Sequence, residues 1–469
     1  LLQFYDKVSD REAENRARYD LRWKVALGVS IAESGFNYSA LSRFRARLLL
    51  HNKERTAFKE ILNAAIAKGL LPGNCAKQIM DSTYVLGAGA VQDTYTLIRL
   101  AIRKLLKTIG KRLNLIALLP KPLNIDYQSK VKPKINWEDP TERNNILNQL
   151  CNDALQIIEV VDQLKLTKQE QELKEILATV AIQDIEQENG TVKIKKGVAK
   201  DRIISTTDPE MRHGRKSSAR LFDGYKTHTA IESENSFITE IEVTPGNAHD
   251  SEAATGLVDK QPEEIKPKEV LSDMAYGVGK NREEMGNREI KLICPVPTGL
   301  GRNGCFPKTS FNIDLEAQTC QCPAGKMASE TIYDKKTKRL KVFVFSQEQC
   351  QNCPLLNQCT KSKKGRRTIT VNQYERYIQE ARAFQQTEEF KNEYPGRCKI
   401  ESKQAEMVYH GLRQARYIGK AKVYLQSLLI GTLVNFKRYW KLATEKAQSG
   451  ISKPIELVCF TKTPLPVAV

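Results

Sequence analysis

The chain predicts a mixed α/β fold with a helical N-terminal domain, a helical insertion and a β-rich insertion. Three observations carry this. Apolar residues recur at helical spacing through residues 11–70, 94–113, 143–190 and 376–444. Between about 200 and 300 the period shortens to two, in YKTHTAIE, FITEIEVTPG, EVLSDMAYG and IKLICPVP. Helical stretches, SEAATGLVDKQ and NREEMGNRE, fall between the later strands, and strand, hairpin, helix, strand, helix, strand is the order of a mixed sheet. At 469 residues the chain is too long for one ordinary core, so two or three domains, or one domain with insertions, are expected.

The elements follow in order. Residues 1–72 read as a helical domain, with RWKVALGVS, NYSALSRFRARLL and TAFKEILNAAIAKGLL as its helices. Ser39 is placed to cap the second, and Gly69 and Pro72 to close the third. Arg43, Arg45 and Arg47 give a basic edge, which suits either a DNA-binding module or a solvated packing helix. AKQIMDSTYVLG then reads as a strand with Asp81 at its middle, and Asp93 as the cap of the helix after it. The sheet domain is expected over 73–95 and 200–300, interrupted by a helical insertion at 96–199. Within that insertion, residues 119–142 are a Pro- and Lys-rich crossing and 143–190 a helical hairpin. SENS at 233–236 is a turn, Asp208 before Pro209 another, and Asp250 a helix cap beside His249. Residues 301–375 are Gly-, Cys- and Lys-rich with one clear strand, KVFVF. Residues 376–445 are helical again, and 446–469 form a Pro-containing tail.

Lys and Arg number 74 against 55 Asp and Glu, a net charge of +19 that favours a polyanionic partner, nucleic acid above all. No run of about 18 apolar residues predicts a membrane-spanning helix. The first residues hold no signal-peptide apolar core, and the chain opens on Leu1, as expected of a fragment or of a gene without its start. Eleven cysteines, an odd number without a secretory signal, point to reduced thiols or a metal site rather than disulfides.

Asp81, Asp273 and Glu401 each have an ordinary reading: a strand-edge acid, a turn acid, and a surface acid paired with Arg397. Together they are hard oxygen donors of the kind that Mg²⁺ and Mn²⁺ choose, and two such ions can clamp a phosphodiester. Arg397, Lys403, Arg413, Arg416 and Lys420 surround Glu401. Cys320, Cys322, Cys350, Cys353 and Cys359 lie within forty residues, close enough in sequence for a tetrahedral zinc site, although five exceed the four it needs; free thiols are the alternative. Lys361, Lys363, Lys364, Arg366 and Arg367 follow and suit phosphate contacts or a solvated loop.

These segments resemble those of the DDE transposases of bacterial insertion sequences. RWKVALGVSIAESGFNYSALSRFRARLL is similar to their amino-terminal domain, and DSTYVLGAG to the strand with the first Asp. GRKSSARLFDGYKTHTAIE with TPGNAHDSEAA is similar to the hairpin and the helix start that follow. LSDMAYG resembles the second Asp strand, and KIESKQAEMVYHGLRQARYIGKAKVYLQSLLIGTLVNFKR the glutamate helix. The resemblance covers nearly the whole chain in the family's order. It implies an RNase-H-like mixed sheet flanked by helices. It also implies Asp81, Asp273 and Glu401 as catalytic ligands of two Mg²⁺ or Mn²⁺ ions that serve cleavage and strand transfer at the element's terminal repeats. Arg43, Arg45, Arg47, Lys363, Arg366, Arg397, Arg413 and Arg416 are then the expected DNA contacts, a homodimer the means of pairing two ends, and the nucleoid in the cytoplasm the setting. Many members space a Tyr, Arg, Glu and Lys around the glutamate. Tyr394, Arg397 and Glu401 fit that spacing, but Val408 stands where a base is common, and Arg413 is the candidate substitute. A nuclease without strand joining and a DNA-binding remnant without catalysis are the alternative readings.

Overall fold

The computed structural model describes residues 1–72, 77–129, 135–188, 191–217, 219–297, 301–333 and 341–448. Five helices come first: α1 (Leu2–Tyr5), α2 (Asp10–Tyr19), α3 (Leu21–Leu27), α4 (Tyr38–Leu50) and α5 (Thr56–Ala67). Asn37, not Ser39, caps α4, accepting the Ser39 amide, because the helix starts at Tyr38. Val8, Ala13, Ala17 and Trp23 make a small core for the first turns of the chain. α5 belongs elsewhere: Phe58, Ile61 and Leu62 enter the main core beside the last helix.

The main sheet is built around β1 (Lys77–Leu86). The chain then leaves it through α6 (Thr94–Ile109), α7 (Pro140–Asp162) and α8 (Lys168–Ile182), whose Leu97, Ile102, Leu147, Ile157 and Val180 form a core of their own. The buried Asp153 carboxylate pins the Pro-rich crossing through the Asn124 amide and the Tyr127 hydroxyl, at 2.9 and 2.8 Å. The helix expected to reach residue 190 stops at Ile182. A hairpin of β2 (Ile185–Glu188) and β3 (Thr191–Ile194) replaces its end. The reason is tertiary: the Asp184 carboxylate, buried at the turn, takes the Thr94 hydroxyl and the Arg202 guanidinium.

β4 (Arg212–Arg215), β5 (Leu221–Glu232), β6 (Ile238–Pro245), β7 (Glu269–Ser272) and β8 (Lys291–Ile293) complete the sheet. β5 runs antiparallel to β1, β6 and β4, while β7 runs parallel to β1 and β8 parallel to β7. An antiparallel half joined to a parallel half through a long first strand is the RNase-H-like arrangement. Alternate β1 residues enter opposite layers: Ile79 joins the core under α5, and Met80 the core under α9 (Ala254–Asp259) and α10 (Gly279–Gly286). Gly224 lets β5 turn from β4 to β6. Its φ is +151°, and a Cβ there would lie 2.2 Å from the Val85 carbonyl oxygen.

The second insertion contains β9 (Asn312–Asp314), β10 (Thr319–Gln321), β11 (Glu330–Tyr333) and β12 (Lys341–Val344), then α11 (Gln347–Gln351), α12 (Leu356–Cys359) and β13 (Thr368–Val371). Its core is small: Phe311, Cys320, Phe343, Phe345, Ile369 and Val371 are its buried members. α13 (Glu375–Gln385) and α14 (Glu388–Glu393) lead back to α15 (Lys399–Tyr409) and α16 (Lys420–Gln448). α16 packs on the sheet, and the Asn435 side chain exchanges two 2.8 Å hydrogen bonds with the Ile238 backbone, like an added rung of β6. The tail expected at 446–469 lies outside the described residues after Gln448. Among the described residues no helix is long and apolar enough to cross a membrane.

Candidate active site

Asp81 is midway along β1, Asp273 directly follows β7, and Glu401 is in the first turn of α15. Met80 pairs with Ser272 across the parallel strands, so the two aspartates stand at neighbouring register positions. All three carboxylates line one cavity of about 720 Å³. Arg397 lies between two of them, donating to Asp81 Oδ2 at 3.0 Å and, more loosely, to Glu401 Oε1 at 3.4 Å. Backbone amides hold the aspartates: Ser82 N–H to Asp81 Oδ1 at 2.8 Å, and Ala275 N–H to Asp273 Oδ1 at 3.0 Å. Glu401 is less constrained, its side chain being 64 % exposed.

Burial pushes the Asp81 carboxyl up to about 6, and the Asp273 charge adds to the rise; the Ser82 amide and Arg397 offset part of it. Burial, then the Asp250 charge, raises Asp273 as well. Half-buried acids sharing one cavity call for positive charge. Among the described residues no three His, Cys, Asp or Glu side chains are gathered tightly enough to hold a metal ion.

Asp250 also lines the cavity, and reading it as a helix cap missed this. His249 does the capping, accepting the Ser251 amide, which leaves the next side chain free to face β1 and β5. Asp250 accepts the Ser82 hydroxyl and the Lys226 ammonium, each at 2.7 Å, and Lys226 also donates to the Ala248 carbonyl at 2.8 Å. Burial works to raise Asp250, but Lys226 outweighs it and holds the carboxyl below its ordinary range. The available signal was Lys226, a base inside a strand buried along most of its length.

Behind Asp273, His228 is fully buried, with its ring nitrogens 2.7 Å from the Tyr276 hydroxyl and 2.9 Å from Thr244 Oγ1. Burial pushes it down to about 4, so it is neutral at pH 7. The contact ties the turn after Asp273 to the sheet. Gly277 closes that turn where a Cβ would lie 2.3 Å from Cys294 Sγ.

Bases gather on one side of the cavity. Arg413 stacks 3.7 Å from the Tyr84 ring centroid and donates to the Tyr84 carbonyl at 2.5 Å; Arg220 and Lys216 approach the same ring at 5.3 and 5.8 Å. Arg215 and Lys216, which the sequence reading did not single out, line the cavity, as do Val408 and Arg413. Tyr394 stacks on Phe390 at 5.1 Å. Arg43 and Arg47 are exposed on α4, Lys363 is exposed beyond α12, and Arg366 is half-buried. Arg45 and Arg416 are engaged within the protein. Arg45 pairs with Asp10 and lies over Tyr417, while Arg416 donates to the Val8 carbonyl at 2.6 Å and lies over Phe4.

Two family models match the chain: residues 321–440 match one described as Transposase DDE domain, and residues 1–47 one described as Transposase domain (DUF772). These matches support a DDE transposase of an insertion element. No curated protein and no solved structure matches it. The DDE match spans Arg397, Glu401 and the cysteines from 322 to 359; Asp81 and Asp273 lie outside it and reach the cavity through the sheet.

The five clustered cysteines are free thiols, and the structure divides them. Cys322, Cys350, Cys353 and Cys359 line one small cavity. Cys320 is fully buried in β10 within the core of the insertion.

Proposed function

We propose that this transposase cuts DNA at the terminal repeats of its element and joins the freed 3′ ends to target DNA, with Asp81, Asp273 and Glu401 holding two Mg²⁺ or Mn²⁺ ions. The observation that supports this is the meeting of three carboxylates, from three distant segments, in one cavity of an RNase-H-like sheet. The donors are hard oxygens, and Arg397 already answers part of their need for positive charge. Bound there, divalent ions supply the polarisation of the scissile phosphate and the activation of water or a 3′-hydroxyl.

The chain's own residues do the rest. β1 and β7 hold Asp81 and Asp273 in place, and the exposed Glu401 side chain would turn inward to complete the set. Arg397 keeps Asp81 and Glu401 oriented. Lys226 and Asp250 hold Ser82, whose amide in turn fixes Asp81 Oδ1. Arg215, Lys216 and Arg413 meet phosphate oxygens at the cavity, with Tyr84 as an apolar face for a displaced base. The exposed Arg43, Arg47 and Lys363, with the half-buried Arg366, extend the grip on the element's end. A homodimer pairs the two ends, and the work is done on the nucleoid.

The test is cleavage of a labelled duplex carrying the element's end, with Mg²⁺, Mn²⁺ or EDTA, for wild type and Asp81→Ala. Metal-dependent cutting and joining, lost in the variant, is expected. Cutting that survives Asp81→Ala overturns the site, and nicking without joined product replaces the transfer step by hydrolysis alone.

A further inference from the structure

We propose that Cys322, Cys350, Cys353 and Cys359 form a four-thiolate zinc site that holds the β-rich insertion together, with Cys320 excluded from it. The proposal is independent of the catalytic reading above. The four side chains line a single cavity of about 20 Å³, room for one small occupant, and among the described residues no carboxylate or imidazole shares it. The Cys350, Cys322 and Cys353 groups all lie within electrostatic reach of the Cys359 thiol.

The backbone around them is already fixed. Cys322 opens a tight turn: its amide bonds to the Lys326 carbonyl and its carbonyl to the Gly325 amide, both at 2.8 Å, with Gly325 at φ +77°. Cys350 and Cys353 are joined by a 3.1 Å hydrogen bond from the Cys353 amide to the Cys350 carbonyl. Lys326 Nζ ties the first turn to the second through the Gln349 carbonyl at 2.7 Å. Arg367 Nη1 holds the Cys359 carbonyl at 2.8 Å. Three segments therefore stand in set positions while each sulfur keeps one rotatable torsion. As thiols the four sulfurs are not gathered round a point. A Zn–S bond of about 2.3 Å asks for sulfurs about 3.8 Å apart, so metal binding would require the side chains to turn inward about χ1.

Charge and packing agree. Zinc binding replaces four S–H protons, released to solvent, and leaves a complex of net charge about −2. The two cations lining the cavity, Lys326 and Arg367, match it. Arg367 Nε is buried with no hydrogen-bond partner, a donor that a thiolate sulfur can accept. The insertion also needs a staple: its strands are three or four residues long, its buried core is six side chains, and its described cysteines form no disulfide. Cys320 has the opposite setting. β10 pairs with β9 and carries Cys320 in among Phe311 and Phe343, whereas the turn at 322–326 diverts Cys322 toward the cavity.

The experiment uses the full chain purified without chelator. Elemental analysis is expected to show one zinc per chain in wild type and in Cys320→Ser, and loss of that zinc in Cys353→Ser. Because Cys353→Ser can fail to fold, two wild-type measurements stand beside it. Exchange with Co²⁺ is expected to give the intense visible bands and near-ultraviolet charge transfer of tetrahedral thiolate. Native alkylation mapped by mass spectrometry is expected to spare Cys322, Cys350, Cys353 and Cys359 until the metal is removed. Absence of zinc, one iron in its place, disulfides among the four, or zinc that depends on Cys320 and not on Cys353 overturns the proposal.

Discussion

The carboxylate cavity and the cysteine cavity gather their side chains in opposite ways. Asp81, Asp273 and Glu401 come from segments more than a hundred residues apart, brought together by a six-stranded sheet with α15 and α16 on one face. Cys322, Cys350, Cys353 and Cys359 fall in one short stretch and depend on local turns around a six-residue core. In the first region the fold is large enough to bury its acids, and burial holds Asp81 well above its ordinary range. In the second the fold is small enough to need its ligands. A site residue removed from the first should therefore cost activity and spare the fold; one removed from the second should cost local structure.

The strongest challenge to that contrast is Asp273→Asn. End cleavage in Mg²⁺ should fall on the order of 10³-fold, while DNA affinity and the melting temperature hold. A variant that instead loses its melting transition would place Asp273 among the structural residues and erase the distinction.

Next in size is the pH dependence of the metal-free protein. Asp81 sits at about 6 in the folded state against an ordinary 3.8, so the folded chain binds that proton more tightly than the unfolded one. Its stabilising contribution is complete below about 3.8 and is lost as pH rises through about 6, up to roughly 3 kcal/mol in all. Denaturant melts at pH 5 and pH 7.5 with EDTA, compared between wild type and Asp81→Asn, isolate this from other titrating groups. The difference between the two proteins should shrink at the lower pH, and equal slopes would refute the assignment.

A smaller effect tests the support beneath the acids. Asp250→Asn and Lys226→Met should each lower cleavage about 10- to 100-fold with DNA affinity unchanged, the usual scale for groups that orient ligands. Their double variant should be little worse than either, since the two share one ion pair. Additive losses would mean separate roles.

The smallest concerns the basic rim. Lys216→Ala should weaken binding alike for end and unrelated DNA, and reduce the slope of log K against log salt by about 1. A change confined to the end sequence would make Lys216 a base reader instead.

Legibility followed the range of the forces involved. The alternation of YKTHTAIE and the helical periods of α6, α7 and α16 are local amphipathic patterns, visible without knowing the partner surface. The end of α8 was not visible, because the Asp184 carboxylate that stops it bonds to Thr94 and Arg202, far away in sequence. Asp250 was misread by one position, since His249 and Asp250 are both capable caps and only the Ser82 and Lys226 contacts separate them. Arg215 and Lys216 were passed over because a basic strand end looks the same whether it faces solvent or a cavity.

By itself the sequence determined the alternation of helix and strand, the excess of positive charge, the reduced cysteine cluster and the identity of three acids in suitable local settings. Tertiary structure alone decided which of those groups meet. It set Asp81 beside Asp273 through the parallel register of β1 and β7, brought Asp250 and Lys226 to the same cavity, and parted Cys320 from the other four cysteines. The physical reason is that propensity and periodicity act over a few residues, whereas strand register and packing fix the distances between segments the chain itself keeps far apart.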